Sequence, residues 1–153
     1  VLEPSAGNGS IVNACLSVGF DVSAIEMNES HLPKLRELQS SGVVAGRRCD
    51  IHLSDFLLTP VPGPLALFDA VAMNPPFTGL ADIAHVTHAL KFVKPGGILV
   101  AITSPSWIRR VSPRRPMGVS TAVWAGAALA GVVARASIGR TAIRIISQRR
   151  MFA

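Results

Sequence analysis

The sequence predicts an α/β fold built on a mostly parallel, doubly wound sheet in one domain. Strand-like and helix-like segments alternate through the first hundred residues, and repeated β-α-β units with right-handed crossovers place helices on both faces of a parallel sheet. The segment Phe68–Met73 has the apolar bias expected of a strand buried on both faces. Motifs rich in glycine or polar residues follow the strands directly, at the carboxyl ends where such sheets bind ligands.

The elements of the first half are bounded by residues that end them. Gly19 closes the first helix, and Ser40-Ser41-Gly42 is predicted to stop the second, whose apolar residues recur every three to four positions. The predicted elements, in chain order, are a strand ending within Val1–Glu3, a helix over Ser10–Val18, a strand over Val22–Glu26, a helix over Glu29–Gln39 and a strand within Val43–Phe56.

The second half continues the alternation as far as Thr103. Three prolines in five residues make Pro60–Pro64 a loop, and Pro95-Gly96-Gly97 is predicted to form a tight turn. The predicted elements are a strand over Phe68–Met73, a helix over Asp82–Val93, a strand over Ile98–Thr103 and a late strand over Ala142–Ser147.

Charge divides the chain into two parts. Residues 1–108 contain six lysines and arginines and all nine acidic residues, whereas residues 109–153 contain nine arginines, no lysine and no acid. Such a segment indicates a polyanionic partner, because the guanidinium fork matches phosphate oxygens. The alternative is a solvated or disordered basic end. We expect a core over residues 1–107 and a basic, Ala/Gly-rich segment over residues 108–153 that completes the sheet.

One stretch of the sequence, Met117–Ala134, reaches the length of a membrane span. No basic stretch precedes an apolar segment at the start, so no signal peptide is recognised. Met117–Ala134 lacks charged residues, but it is rich in alanine, glycine, serine and threonine, so its insertion into a bilayer would be weakly driven. We expect a cytoplasmic protein without a membrane span.

A turn of small residues joins the first strand to the first helix. In Glu3-Pro4-Ser5-Ala6-Gly7-Asn8-Gly9-Ser10, small side chains let the backbone approach a ligand closely, and the following helix offers free N–H groups. Val12 stands where the third glycine of the dinucleotide fingerprint would fall, and the absence of Gly-Lys-Ser/Thr excludes a P-loop. The turn is therefore either a nucleotide-binding loop or a structural connection.

Two further acids follow strands. Glu26 ends the second strand 17 residues after Gly9, where a carboxylate can accept hydrogen bonds from both hydroxyls of a ribose. Asp55-Phe56 follows the third strand, and there the carboxylate can accept from an adenine amino group while the ring offers an apolar face. The alternative is that Asp55 caps a turn and Phe56 fills the core. Asp50 competes with Asp55 for the same role.

The most specific motif is Asn74-Pro75-Pro76-Phe77, directly after the fourth predicted strand. Two prolines remove two N–H donors and stiffen the backbone, which holds Asn74 extended at the strand end. The Asn74 side-chain oxygen and the Pro75 carbonyl can bind the two N–H groups of an exocyclic amine, favouring a tetrahedral nitrogen that attacks an electrophile. Phe77 can stack on the target base. The alternative is a Pro-rich turn without a catalytic role.

Together these motifs resemble the ordered motifs of class I S-adenosylmethionine-dependent N6-adenine DNA methyltransferases from bacteria, phages and plasmids. The resemblance covers residues 1 to about 107. It rests on six stretches: Val1–Gly9, Glu26, Asp55-Phe56, Asn74-Pro75-Pro76-Phe77, residues 82–89 and residues 95–101. It implies a Rossmann-like sheet of seven strands with a possible C-terminal antiparallel strand. It also implies methyl transfer from S-adenosylmethionine to double-stranded DNA. The target adenine would be flipped out of the helix, because N6 lies within the stack.

The resemblance also assigns roles to residues. Asn74, Pro75, Pro76 and Phe77 become the catalytic motif, and Glu3, Ala6 and Gly7 line the methionine end of the cofactor. The rest of the expected cofactor site is formed by Asn8, Gly9, Glu26, Asp55 and Phe56. In the family a helix precedes the first strand, so we expect this chain to be truncated at its N-terminus, and we expect target recognition to need a missing or separate region.

The histidines are not expected to bind a metal. Asp82, His85 and His88 share one helical face, but no fourth ligand is evident, and in the family this stretch serves helix packing and local hydrogen bonding. His31 and His52 have no evident partners. Three other functions remain open: methylation of adenine in RNA, methylation of protein glutamine, and binding of cofactor or nucleic acid without catalysis.

Overall fold

The computed structural model describes residues 1–63 and 66–103, together with the backbone of two strands nearer the C-terminus. Strands and helices alternate as the sequence predicts. The elements are β1 (Leu2–Glu3), α1 (Ser10–Ser17), β2 (Val22–Glu26), α2 (Leu32–Val44), β3 (Cys49–Leu53), β4 (Phe68–Met73), α3 (Ala81–Ala89), β5 (Val93–Thr103), β6 (Val132–Ile138) and β7 (Thr141–Ser147). Short 3-10 turns lie at Glu29–His31, Phe56–Leu58, Thr78–Leu80 and Leu90–Phe92.

The strands form one sheet in the order β3-β2-β1-β4-β5-β7-β6. Strands β1 to β5 pair in parallel, β7 pairs in parallel with β5, and β6 runs antiparallel to β7. The chain builds outward from β1 in one direction through β2 and β3, and in the other through β4 and β5. The boundary between β1 and β4 is therefore the switch point, where sheets of this kind open a crevice at their carboxyl edge.

Both faces of the sheet are covered, which confirms the doubly wound prediction. Along β2, Val22 and Ala24 belong to one apolar cluster and Ile25 to the other, because successive side chains of a strand point to opposite faces. The first cluster includes Val12 of α1 and Leu35 of α2. The second joins the sheet to α3 and includes Leu2, Phe56, Val71, Met73, Val86, Ala89, Phe92 and Leu99.

The prediction that Ser40-Ser41-Gly42 stops the second helix is wrong, since α2 continues to Val44. The hydroxyl groups of both serines donate to carbonyls one turn earlier, so these residues stay helical. Gly42 is buried, and a Cβ there would lie 3.2 Å from a methyl carbon of Leu16, so this glycine permits close helix packing. The chain leaves the helix after Val44, and Gly46, whose φ of 71° is left-handed, follows the cap residue Ala45.

The predicted end of the third helix also differs from the structure. The helix predicted over Asp82–Val93 is shorter, because α3 ends at Ala89 and a 3-10 turn leads into β5. Pro95-Gly96-Gly97 lies inside β5 as an irregularity, with Gly96 at a φ of 87° and a register shift against β4. The predicted strand Ile98–Thr103 is the regular part of β5.

Gly97 has no room for a side chain. A Cβ there would lie 2.7 Å from the carbonyl oxygen of Asp69 on the neighbouring strand, a backbone atom that cannot turn away. We expect Gly97→Ala to lower the free energy of unfolding by about 1–3 kcal/mol, the usual cost of overpacking. Urea unfolding checks this, with Gly63→Ala as the control, because nothing lies within 4 Å of its Cβ position. Equal midpoints for the two variants would contradict this packing.

Several predictions concern the C-terminal part. The late strand Ala142–Ser147 corresponds to β7, and no bounds were predicted for β6, which runs antiparallel to it. The basic residues before Met117, and the uncharged stretch as far as residue 131, lie outside the described residues. Within the described part of the chain, no helix has the length and apolar character needed to cross a bilayer.

Candidate active site

The predicted site residues converge on the carboxyl edge of the sheet. Glu3 ends β1, Glu26 ends β2, and Asn74 follows the last residue of β4. Because these strands are adjacent and parallel, their ends open on the same crevice at the switch point. Asp50 is excluded from this group. It lies near the amino end of β3, and its carboxylate is 3.1 Å from the Arg48 Nε atom.

The loop between β1 and α1 is fixed to β2 by backbone hydrogen bonds. The Ala6 N–H donates to the Ile25 carbonyl at 3.0 Å, and the Gly7 N–H donates to Glu26 Oε2 at 2.6 Å. Gly7 and Gly9 have φ angles of 52° and 81°, which explains why glycine stands at both positions. Gly9 packs under Leu38, but a Cβ at Gly7 would meet nothing within 4 Å. Open space therefore lies beside Gly7.

Glu3 is buried beneath this loop with half of its carboxyl group unpartnered. Its side chain is 1% exposed; Oε1 accepts from the Ser5 N–H at 3.0 Å, while Oε2 has no hydrogen-bond partner. Burial raises the pKa of Glu3 to about 8, against the lowering effect of the Ser5 hydrogen bond and with a further raising effect from the Glu26 charge. Glu3 is thus mostly protonated at neutral pH. An orphaned buried oxygen of this kind suits a ligand that supplies the missing partner.

Glu26 is also buried, but both of its oxygens are engaged. Oε2 accepts from the Gly7 N–H, and Oε1 accepts from the Asn28 N–H at 2.7 Å. A carboxylate has about four acceptor positions, so about two remain for hydroxyl donors. His31 Nδ1 is buried and lies 3.5 Å from Glu26 Oε1, but it makes no hydrogen bond. Asn28 caps the 3-10 turn that brings His31 back towards the strand end; this Asn-x-Ser cap was the signal in the sequence.

In the structure Asp55 caps a turn and Phe56 fills the core, which is the alternative considered from the sequence. Asp55 Oδ1 accepts from the Leu57 N–H at 2.9 Å and so caps a 3-10 turn. Phe56 is 2% exposed and packs against the rings of His85, His88 and Phe92. The ring therefore fills the core and offers no free face in this conformation. A contact between Asp55 and an adenine amino group stays a prediction.

The Asn-Pro-Pro-Phe motif leaves its two outer side chains accessible. Asn74 and Pro76 are exposed, Pro75 is buried, and Phe77 is 40% exposed. A 3-10 turn follows at Thr78–Leu80 and leads into α3. The motif therefore presents the amide oxygen of Asn74 and the ring of Phe77, on one short segment, to a planar substrate group.

Helix α3 uses its polar face for packing, as predicted, but the hydrogen bonds of its histidines are long-range and not local. His88 Nε2 lies 3.0 Å from the Thr59 carbonyl oxygen, and His85 Nδ1 lies 3.3 Å from Ser5 Oγ. Asp82 is fully buried at the start of the helix. Among the residues that the structure describes, no group of three His, Cys, Asp or Glu is arranged to hold a metal ion. The contact between His85 and Ser5, 80 positions apart, has no local signal in the sequence.

Comparisons with solved structures identify the fold. The glycopeptide N-methyltransferase MtfA complexed with S-adenosylmethionine matches at 21% identity and a TM-score of 0.51, covering 63% of this chain and 43% of MtfA. TrmN from Thermus thermophilus matches at 23% identity and 0.60, covering 92% and 40%. An rRNA methylase from Streptococcus thermophilus matches at 13% identity and 0.56, covering 84% and 77%. This chain thus spans less than half of MtfA and TrmN.

No protein-family model matches the sequence, and no curated protein matches it. The likeness to solved structures is below 25% identity and therefore shows the fold alone. This fold is the Rossmann-like class I methyltransferase fold, in agreement with the sequence prediction.

Proposed function

We propose that this chain is the catalytic core of a methyltransferase that transfers the methyl group of S-adenosylmethionine to the N6 amino group of adenine in DNA. The observation that carries the proposal is the placement of Asn74-Pro75-Pro76-Phe77. The motif begins at the carboxyl end of β4. Across the switch point lies the loop between β1 and α1 (residues 4–9, the glycine loop), with the buried carboxyl groups of Glu3 and Glu26. This reaction needs a motif that accepts hydrogen bonds from the target amine, and it needs a nucleoside-binding site in the same crevice.

The residues at the end of β1 and β2 fit the proposed cofactor. S-adenosylmethionine, when bound, supplies a methyl group attached to a positively charged sulfur. Glu3, with its orphaned Oε2, and the Glu26 carboxylate complement a cationic ligand. The remaining acceptor positions of Glu26 suit the two ribose hydroxyls, and the open space beside Gly7 leaves room for a ligand at that point of the loop. The solved MtfA structures with S-adenosylmethionine and with sinefungin support this assignment.

Asn74 prepares the nitrogen for attack. The lone pair of adenine N6 is delocalised into the ring, so the amine is a weak nucleophile. Hydrogen bonds from its two N–H groups to the Asn74 side-chain oxygen and the Pro75 carbonyl favour a tetrahedral nitrogen and stabilise its developing positive charge. The nitrogen lone pair forms the N–C bond as the C–S bond breaks, the electron pair stays on sulfur, and one N–H proton then passes to solvent. Phe77 stacks on the base, a contact worth roughly 1–3 kcal/mol.

The proposed polymer substrate is double-stranded DNA with a flipped adenine. An adenine held in the stack and in its base pair cannot enter a site formed by Asn74 and Phe77, so the base has to leave the helix to reach these exposed residues. The nine arginines of residues 109–153 would contribute phosphate contacts that do not depend on base sequence. Selection of a target sequence would come from a separate region.

RNA is the second candidate substrate. Its support is the likeness to an rRNA methylase, one of the solved structures matched above. The Asn74 mechanism is the same for adenine in either polymer, because the acceptors contact only the exocyclic amine.

Transfer of labelled methyl groups tests the proposal. The protein is incubated with labelled S-adenosylmethionine and either duplex DNA, folded RNA or a protein extract. We expect label in DNA, with the initial rate falling as salt rises, since phosphate contacts release counterions. Glu26→Gln is expected to lower labelling, and Glu37→Gln, an exposed surface acid, serves as its matched control. Label only in RNA or protein would contradict the DNA assignment, and cofactor binding without label in any polymer would contradict the enzymatic one.

A further inference from the structure

A side-chain contact joins the glycine loop to the helix that follows the Asn-Pro-Pro-Phe motif. Ser5 Oγ and His85 Nδ1 lie 3.3 Å apart, and His85 is only 8% exposed. Ser5 belongs to the loop beneath which Glu3 is buried, whereas α3 starts four residues after Phe77. The contact therefore links the two halves of the proposed active site, one on each side of the switch point.

The histidine side of this contact is buried against aromatic rings. The His85 ring lies 5.8 Å from the Phe56 ring, and Phe56 in turn packs against His88 and Phe92. Burial lowers the pKa of His85, with a raising effect from Asp55 and a lowering effect from His88, so the ring is neutral at neutral pH. A neutral Nδ1 can accept from the Ser5 hydroxyl group or donate to it, and either tautomer satisfies both groups.

On the serine side, hydrogen bonds connect the loop directly to the buried carboxyl groups of Glu3 and Glu26. The Ser5 N–H donates to Glu3 Oε1, and the next two residues donate to the Ile25 carbonyl and to Glu26. Strands β1 and β2 thus fix the loop through its backbone, and α3 fixes it through the side chain of Ser5. Without the α3 contact, the Ser5 end of the loop depends on its backbone bond to Glu3, a group whose charge is itself sensitive to the bound ligand.

We propose that His85 is a positioning residue that holds Ser5, and through it the glycine loop above Glu3, in the conformation that receives S-adenosylmethionine. The role rests on the proposed function, because it concerns affinity for that cofactor. His85 does not touch the reacting atoms; it acts through Ser5. Its loss should therefore weaken cofactor binding, so that KM for the cofactor rises by a larger factor than kcat falls.

A double-mutant cycle on the full chain tests this role. The Kd for S-adenosylmethionine is measured by calorimetry for Ser5→Ala, His85→Leu and the combined variant. Each single change is expected to raise Kd about threefold to tenfold, the equivalent of one neutral hydrogen bond, and the combination to raise it no further. His85→Asn is expected to restore most of the affinity, because its amide group reaches the position of Nδ1 and can bond to the serine.

His88→Leu is the matched control. His88 lies on the same helix and contacts the same Phe56 ring, but it bonds to the Thr59 carbonyl and not to the loop. We expect it to lower Tm as His85→Leu does while leaving Kd within about twofold of wild type. Wild-type Kd values for Ser5→Ala and His85→Leu, additive effects, or no rescue by asparagine would overturn the positioning role alone. Absence of cofactor binding by the wild-type protein would overturn the proposed function itself.

Discussion

Replacing Asn74 by alanine is expected to lower the rate of methyl transfer about 10²–10³-fold, the usual cost of removing one preorganised polar group from a reacting centre. The side-chain oxygen accepts a hydrogen bond that strengthens as positive charge develops on the nitrogen, so its loss acts on the transition state more than on substrate binding. Single-turnover transfer of labelled methyl to DNA measures the rate. The Kd for the cofactor should stay near the wild-type value, because Asn74 lies outside the glycine loop.

Two further variants sharpen this result. Asn13→Ala makes the same chemical change at an exposed position on α1, away from the carboxyl edge, and should leave the rate unchanged. Asn74→Asp keeps one acceptor oxygen and should retain more activity than the alanine variant. A transfer rate within a few-fold of wild type for Asn74→Ala would contradict the proposed mechanism.

Glu3→Gln is expected to stabilise the protein at alkaline pH. Burial raises the pKa of Glu3 from its ordinary 4.5 to about 8, so between these pH values the folded chain holds a proton that the unfolded chain has released. Stability from the protonated carboxyl is fully present below pH 4.5 and is lost as the pH rises through 8. Glutamine keeps the shape without the titration. Tm followed from pH 5 to pH 9 should therefore fall less steeply for Glu3→Gln than for wild type.

The same substitution should weaken cofactor binding. A cationic ligand favours the ionised carboxylate, so binding should release a proton from Glu3 near neutral pH, and calorimetry in buffers of different ionisation enthalpy should detect it. Glu3→Gln abolishes this release and is expected to raise Kd about tenfold or more, since hydrogen bonds to charged groups are worth about twice neutral ones. Glu37→Gln, at an exposed ion pair, is the control for both measurements. Parallel pH profiles for wild type and Glu3→Gln would contradict the buried, protonated state.

Features set by short-range pattern were predictable from the sequence. The predicted bounds of β2 and β4 agree with the structure, because each strand is a short apolar run between a turn and a polar residue. The placement of Glu3, Glu26 and Asn74 on one edge followed from parallel pairing, which brings the ends of successive strands together. The late strand β7 was also predictable, since its β-branched residues favour an extended backbone.

Features set by long-range packing were not predictable. Gly42 looks like a helix stop in isolation, but it permits contact with Leu16 inside a continuing helix. The burial of Phe56 depends on rings contributed by α3 and by the turn that follows it. The contact of Ser5 with His85 joins residues 80 positions apart. These relations arise only once the sheet has assembled, so no local spacing encodes them.

The chemical identity of the methylated product tests the proposed adenine-N6 methyl transfer most directly. Duplex DNA is incubated with the protein and S-adenosylmethionine, digested to nucleosides and analysed by mass spectrometry, in parallel with the Asn74→Ala variant. We expect N6-methylated deoxyadenosine from the wild-type protein and about 10²–10³-fold less from the variant at equal times within the linear phase. Methylated cytosine in place of adenine, or equal yields from the two proteins, would contradict the proposed reaction.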